Sequence, residues 1–443
     1  MNKSVELLGK IFKGNFSALL AGNLIYAASQ WGMIMSIAKL GNPAMVGQFS
    51  LALALIAPLI LFSNFQLRNF QATDAKDEYA FTEYFRLRML MSILSLLCVA
   101  VIAVSGDYSS VLRLVILFVG ISKVIESVSD IIFGLFQKHE QMHWIARSMI
   151  MKGLSSVAVL SVVLLLTDSI VWSVVGMSCA WLLILVLYDI RNAIRVLKQL
   201  YSRTGQQKKY FWEQVNLRRI WKLGLLTIPL GIVATLDSLM NNIPRYRLQA
   251  FGGEEMLGYY AAIAYIMVAG GTFITALIQA FSPKLSVLYH QHLDRFRKDL
   301  LKLSFLAGCI GITGILISLA AGRPILNLLY SKEYGQHSEI LTIIMLASTI
   351  WFISSCLGAG LTISRNMNVQ VPIYVVSCAS VFVSAFFLIP GYGMSGAAWS
   401  IVIGMLVRGV SIAVSLFIVI RRKMAAQPIA KPGEAVLNQQ SSN

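Results

Sequence analysis

Lys123, Glu126 and Asp130 recur at helical spacing inside an otherwise apolar run, and on a helix the three share one face. A charge at the centre of a membrane helix costs roughly 2.5–3.5 kcal/mol, so such groups meet a partner or a water-filled path. Two readings fit: a neutralising cluster that docks the helix on a neighbour, or charges lining a route for an ionic cargo. Arg113, Lys152, Asp237 and Arg408 also fall within apolar runs. Lys152 and Arg113 lie near the ends of theirs and read as snorkelling towards the surface. Arg408 sits mid-run, and with Asp237 it is expected to be deeply placed. Asn241 and Asn242 precede Pro244, Arg245 and Arg247, a pattern that reads either as a helix terminator with basic surface residues or as an anion-receiving site.

The balance of these candidates is cationic. Arg113, Lys123, Lys152, Arg245, Arg247 and Arg408 stand against Glu126, Asp130 and Asp237. Cationic donors, forked guanidinium groups above all, suit an anionic cargo, whereas a cavity for a cationic one is expected to be acidic. The three carboxylates are the candidates for proton or sodium coupling. Lys123 is expected to hold Glu126 and Asp130 ionised, leaving Asp237 as the group for reversible protonation. No nucleotide-binding fingerprint is present, so the energy source is read as an ion gradient or the substrate gradient, without a cofactor.

His139-Glu140-Gln-Met-His143 matches the H-E-x-x-H pattern, which on one helix supplies two zinc ligands and a general base. The match falls in a short loop beside Lys138, and no third ligand stands out. A zinc protease is therefore the enzyme rival, set aside in favour of a chance match and no metal.

These side chains need elements to hold them, and the composition says which. Of 443 residues 57% are hydrophobic and only 13% charged, which excludes an ordinary soluble domain. Twelve apolar stretches are read as helices that cross a ~30 Å hydrocarbon core: 14–38, 44–65, 88–106, 111–136, 148–166, 170–189, 223–243, 257–281, 303–322, 338–362, 370–389 and 395–420. With the amino terminus in the cytoplasm, 28 of the 37 Lys and Arg residues fall in cytoplasmic segments. The positive-inside rule thus puts both termini in the cytoplasm and accounts for the net charge of +17 without nucleic acid, with anionic lipid headgroups a further partner. The five cysteines all lie within spans and read as small buried residues. The division expected is an amino-terminal six-helix lobe (1–200), a basic cytoplasmic linker (201–222), a second lobe (223–423) and a disordered tail (424–443).

The chain also repeats itself. A shift of 211 positions carries Gly41 onto Gly252, Gly47 onto Gly258 and Phe49 onto Tyr260, and Gly176-Met-Ser-Cys-Ala-Trp181 matches Gly393-Met-Ser-Gly-Ala-Ala-Trp399 with one insertion. Six spans separate the copies, an even number, so the halves are parallel about an axis along the membrane normal.

Several stretches carry a family resemblance: Asn242-Ile-Pro-Arg-Tyr246, Gly253-Glu-Glu-Met-Leu-Gly-Tyr-Tyr260, Leu67-Arg68 with Gln71-Ala-Thr-Asp74, Lys123-Val-Ile-Glu126-Ser-Val-Ser-Asp130, and Leu329-Tyr-Ser-Lys-Glu-Tyr334. In this order and topology the chain resembles the polysaccharide transporters of the MOP superfamily, which holds Wzx-type O-antigen and capsule flippases alongside the MATE exporters. The resemblance covers nearly the whole chain. It implies an all-α membrane protein with a V-shaped pair of six-helix lobes in the bacterial cytoplasmic membrane. It further implies alternating-access movement of undecaprenyl-pyrophosphate-linked oligosaccharide to the outer leaflet, with a polysaccharide polymerase and chain-length machinery as partners. A MATE-like cation-coupled drug antiporter is the alternative.

Overall fold

The computed structural model describes residues 2–74, 78–204, 217–364 and 369–426; among these the chain is helical, with no strand. An apolar solvent offers the backbone no hydrogen-bond partner, so each N–H and C=O is satisfied within its own helix. The helices are α1 (Asn2–Leu40), α2 (Pro43–Asn64), the short α3 (Leu67–Thr73), α4 (Phe81–Ser105), α5 (Ser110–Lys138), α6 (Met142–Thr167) and α7 (Ile170–Ile184). A π-helical turn, Leu185–Ile190, carries α7 into α8 (Arg191–Thr204). There follow α9 (Leu217–Gln291), α10 (Leu293–Leu329), the single turn α11 (Lys332–Gly335), α12 (Ser338–Ile363) and α13 (Gln370–Ala426).

Eight segments among the described residues are long and apolar enough to cross a membrane. Two of them, Leu230–Ser282 and Gln370–Ala425, run to 53 and 56 residues. Straight, each would reach about 80 Å, more than twice the hydrocarbon thickness. Each breaks instead near its middle, at Gly253 (φ 72°) and Gly393 (φ 54°). Glycine takes this left-handed backbone at no steric cost. The expected end of the seventh span at Pro244 is displaced: α9 stays helical through Pro244 and turns only at Gly253. Between the expected spans 170–189 and 223–243, helix α8 continues to Thr204 and α9 begins at Leu217. Most of the 201–222 linker (205–216) and the tail from 427 onward lie outside the described residues.

The outward faces of the helices carry exposed large hydrophobics such as Val104, Leu166, Phe305 and Phe387, the surface a lipid solvent requires. Cys179 and Cys309 lie on this surface too, whereas Cys356 is buried as the sequence suggested. Inside, α1 packs on α6, α6 on α7, and α5 on α2 and α4; separately, α10 packs on α12, α12 on α13 and α13 on α9. The contact of α2 with α9 joins these groups.

That junction is tightest beside the Gly253 turn, where the sequence repeat becomes a physical contact. Gly47 lies against the backbone of Glu254, and Gly258 lies against the backbone of Pro43. The 211-residue shift carries Pro43 onto position 254 and Gly47 onto Gly258, so the two contacts are copies of one another. A Cβ on either glycine would overlap a carbonyl oxygen of the facing segment. Glu254 adds polar bonds, accepting from Gln48 Nε2 at 2.7 Å and Ser109 Oγ at 3.3 Å.

At the opposite end of the bundle Asp74 organises the chain after α3. Its carboxylate accepts the backbone N–H groups of Glu78 (3.0 Å) and Tyr79 (3.2 Å) and the Tyr84 hydroxyl (3.2 Å), with Lys138 Nζ at 3.8 Å. Burial opposes its ionisation, but these donors outweigh burial and hold the carboxyl below its ordinary value of 3.8. Arg219, at the start of α9, reaches Glu83 at 2.9 Å on the same end.

Two outcomes are expected. Alanine at Gly47 or Gly258 forces backbone apart and should lower the unfolding temperature of the purified protein, overpacking costing about 1–3 kcal/mol; unchanged melting in both variants would show the contact is loose. Because folding depresses the Asp74 pKa, its stabilisation is present above the unfolded value near 3.8 and disappears as pH falls through the lower folded value. Asp74→Asn should therefore melt earlier than the parent at neutral pH, with the gap closing in strong acid.

Candidate functional site

A cavity of about 660 Å³ lies between the two helix groups, lined by α1, α2, α3, α5 and α6 on one side and by both legs of α9, α12 and α13 on the other. It reaches the end of the bundle marked by Asn64, Gln66 and Arg68. None of the residues in the Gly47–Gly258 contact lines it, so it stops short of the Gly253 end. Four cations face it, Arg68, Lys123, Lys152 and Arg245, with three carboxylates, Glu126, Asp130 and Asp237. Amides (Gln30, Asn64, Asn241, Asn242) and rings (Tyr26, Tyr260, Tyr265, Trp351) fill much of the remaining wall.

Helical spacing brings Lys123, Glu126 and Asp130 together on this wall, but their pairings divide. Lys123 Nζ lies 2.8 Å from Glu126, which also accepts the Tyr26 hydroxyl at 2.6 Å. Asp130 does not rely on Lys123: its oxygens meet Arg68 at 3.4 Å and Arg88 at 3.2 Å. Arg88 is wholly buried and donates also to Ser127 and Asn64, while its Nε has no partner. Two guanidinium groups share one carboxylate, so a unit of positive charge is left over. Arg68, with 23% of its side chain exposed against 1% for Arg88, presents it to the cavity. Burial of the pair is tolerable because the charges compensate at close range.

Lys152 departs from the expected snorkelling. It is 2% exposed, 2.7 Å from the buried carboxylate of Asp189, and bonded to Ser129. Asp189 lies on the π-helical turn and its Oδ1 has no partner. The widened turn places this carboxylate inside the bundle; such turns occur often at functional positions. Trp181 closes the pair from the side, its Nε1 donating to Ser156 Oγ at 2.7 Å.

Asp237 is not the lone carboxylate expected. Arg408 Nη1 lies 3.2 Å from it, and Arg408 Nη2 is 2.9 Å from the Tyr374 hydroxyl. Arg408 does not line the main cavity but a smaller one of about 330 Å³, with Tyr374, Gln370 and Thr362. The Asp237–Arg408 pair thus spans the wall between the two. Arg245 does line the main cavity, donating to Asn242 Oδ1 at 3.3 Å, and no carboxylate among the described residues pairs with it. Arg247 lies outside the cavity, its guanidinium 4.9 Å from the Phe386 ring centroid, and Arg113 is exposed near the Gly253 end, as a snorkelling residue would be.

The H-E-x-x-H match is split by a turn. His139 ends α5, Glu140 takes a left-handed φ of 57°, and His143 opens α6, so the histidines share no helix face. Among the described residues no group of three or more His, Cys, Asp or Glu could hold a metal ion.

The family model described as polysaccharide biosynthesis protein matches residues 12–288. The chain belongs to that family. It is 29% identical over 405 residues to the capsular polysaccharide biosynthesis protein CapF of Staphylococcus aureus, covering 90% of this chain and 97% of that one. The fold of this polysaccharide biosynthesis protein is also that of the lipid II flippase MurJ in an inward closed conformation (TM-score 0.70, 12% identity, 92% of this chain and 87% of that one). An inward-facing multidrug MATE transporter of the MOP superfamily shares it at a TM-score of 0.61 and 12% identity, over 94% and 96% of the two chains. The resemblance read from the residues is therefore established: an all-helical membrane protein with the fold of MOP-superfamily transporters.

The buried Lys152–Asp189 pair gives a sharp expectation. Lys152→Met or Asp189→Leu alone leaves an unpaired buried charge and should cost about 3–5 kcal/mol, whereas the double variant should recover most of it. Thermal unfolding of the three proteins in detergent checks this, and a double variant no better than the singles would contradict it.

Proposed function

We propose that the protein flips an undecaprenyl-pyrophosphate-linked oligosaccharide from the cytoplasmic to the outer leaflet of the bacterial cytoplasmic membrane, for O-antigen, capsule or exopolysaccharide assembly. One observation carries the reading: the cavity between the helix groups carries a surplus of guanidinium charge, one unit left over where Arg68 and Arg88 share Asp130 and another on Arg245, with amides and aromatic rings on the rest of the wall. Cationic donors match a pyrophosphate, and amides with rings match sugars. An exporter of cationic drugs has no use for the surplus positive charge. The family supports the reading, because its model and the CapF relative both concern polysaccharide biosynthesis.

In this proposal the twelve helical legs form two lobes, 1–200 and 223–423, joined by the 201–222 linker, with both termini in the cytoplasm. Breaks at Gly253 and Gly393 turn two of the eight apolar segments into four crossings, and α1 and α5 supply the rest. The Gly253 end then faces outward and is shut, while the cavity meets the cytoplasm beside Arg68. The pyrophosphate enters on Arg68, backed by Arg88 and flanked by Lys123 and Lys152. Parting of the Gly47–Gly258 contact releases the cargo, by rocking of the lobes. If the cycle draws on a proton or sodium gradient, the Asp237–Arg408 pair is where it acts, since a proton or ion on Asp237 competes directly with the guanidinium.

Reconstituted in liposomes, the protein should expose undecaprenyl-pyrophosphate-linked oligosaccharide to an enzyme acting only on the far leaflet. Arg68→Gln should slow this about tenfold or more and Arg68→Lys less, since the lysine keeps the charge and loses the fork. Normal surface polysaccharide after deletion of the gene, in a strain without a second such transporter, would remove the reading. Altered resistance to cationic compounds instead would favour the drug antiporter.

A further inference from the structure

Arg245 is the one cavity cation among those described that neither pairs with a carboxylate nor lies beside the Arg68–Asp130 cluster. Its depth follows from the helices. The Ser109 hydroxyl touches Glu254, so the start of α5 and the Gly253 turn stand at one level. Arg245 is eight residues below that turn, about 12 Å at 1.5 Å per residue. Asp130 is twenty residues below Ser110, about 30 Å. Arg245 thus stands about 18 Å deeper into the molecule than the cluster that receives the pyrophosphate. That is several times the span of two linked phosphates. The polyprenyl tail moreover keeps the phosphates near the level of the lipid headgroups. While the pyrophosphate rests on Arg68, whatever reaches Arg245 is sugar.

The surroundings of Arg245 specify the kind of sugar. Asn242 accepts from its guanidinium, and Asn241 shares its helix and the cavity wall. Tyr260 and Tyr265, from the other leg of α9, lie within its electrostatic reach. Across the cavity α1 presents Gln30, ten residues from Leu40 and so about 15 Å down, at nearly the depth of Arg245. Its amide nitrogen is buried without a hydrogen-bond partner. Gln30 and Asn241 are 211 residues apart, the repeat distance, so both halves supply an amide to this level. A guanidinium lacking a counter-ion and an amide donor lacking an acceptor together call for an oxyanion. Hydroxyl groups alone would leave the positive charge uncompensated in a confined space.

Resting on the flippase reading, we propose that Arg245, Gln30 and the Asn241–Asn242 pair form a second anion subsite, which reads a carboxylate on the oligosaccharide. The cargo is accordingly an acidic repeat unit, held at two points: its pyrophosphate at Arg68 and a uronic acid-type sugar at Arg245.

The test uses the full-length protein in detergent and three probes: undecaprenyl pyrophosphate, a galacturonic acid trimer, and the same trimer as its methyl ester. Wild type should bind the acid trimer about tenfold or more tightly than the ester, the value of one charge-assisted hydrogen bond. Arg245→Gln should remove that preference, Arg245→Lys should keep part of it, and Gln30→Leu should reduce it. Arg68→Gln should weaken undecaprenyl pyrophosphate more than Arg245→Gln does. Equal binding of acid and ester by wild type, or a preference that survives Arg245→Gln, overturns the subsite. So does a larger loss of undecaprenyl pyrophosphate in Arg245→Gln than in Arg68→Gln, which would make Arg245 part of the phosphate site and leave the flippase reading standing. Failure of wild type to bind undecaprenyl pyrophosphate at all removes the flippase reading itself.

Discussion

A charge placed among membrane helices must be compensated by another, and most of the interior of this protein is arranged by that need. Asp130 gathers Arg68 and Arg88, Glu126 holds Lys123, Asp189 holds Lys152, and Asp237 holds Arg408. Each pairing ties helices that are distant in sequence or fixes one helix face towards the cavity. Coulombic attraction is several-fold stronger in such surroundings than in water, and so is the penalty for a charge left alone. The compensation is deliberately incomplete in one respect: cations exceed carboxylates on the wall. Hydrophobic packing cannot by itself orient helices whose outer faces are as apolar as the lipid around them. Polar pairing and close small-residue contacts do so instead.

From the pairing scheme follows a division of labour. Compensated charges set the positions of α3, α4, α5 and α6, and the residual positive charge is delivered to the cavity wall at Arg68. Arg408 lines the second cavity and pairs with Asp237, which lines the first, so a carboxylate that faces the large space is held from the small one.

Much of this was legible in the residues, and the failures share a cause. Helical spacing placed Lys123, Glu126 and Asp130 on one face, and all three line the cavity. The apolar runs showed the membrane fold and the repeat matched Gly47 with Gly258, but the turn of the seventh span was expected at Pro244 and lies at Gly253. What periodicity cannot show is a partner far away in the chain. Lys152 looked like a snorkelling residue because Asp189, 37 positions on, closes an apolar run and was counted as its boundary. Arg88 was lost in the same way, at the edge of the run it begins, although it is wholly buried. Asp237 looked solitary because Arg408 lies 171 positions away. A charge abutting an apolar run was the available signal in each case, and its meaning depended on tertiary pairing.

The reciprocal seating of Gly47 on Glu254 and Gly258 on Pro43 has the geometry of a self-complementary patch, in which one residue meets a second while their copies meet in the reverse sense. Two separate identical chains meet in this way across a two-fold axis. Fused into one polypeptide, the patch ties the evolution of the two halves together. A bulkier residue at either glycine has to be accommodated by backbone belonging to the other copy, so the constraint falls on the two glycines and not on the residue types of Pro43 and Glu254. The symmetry of the repeat is thus present as a physical contact where the two copies touch.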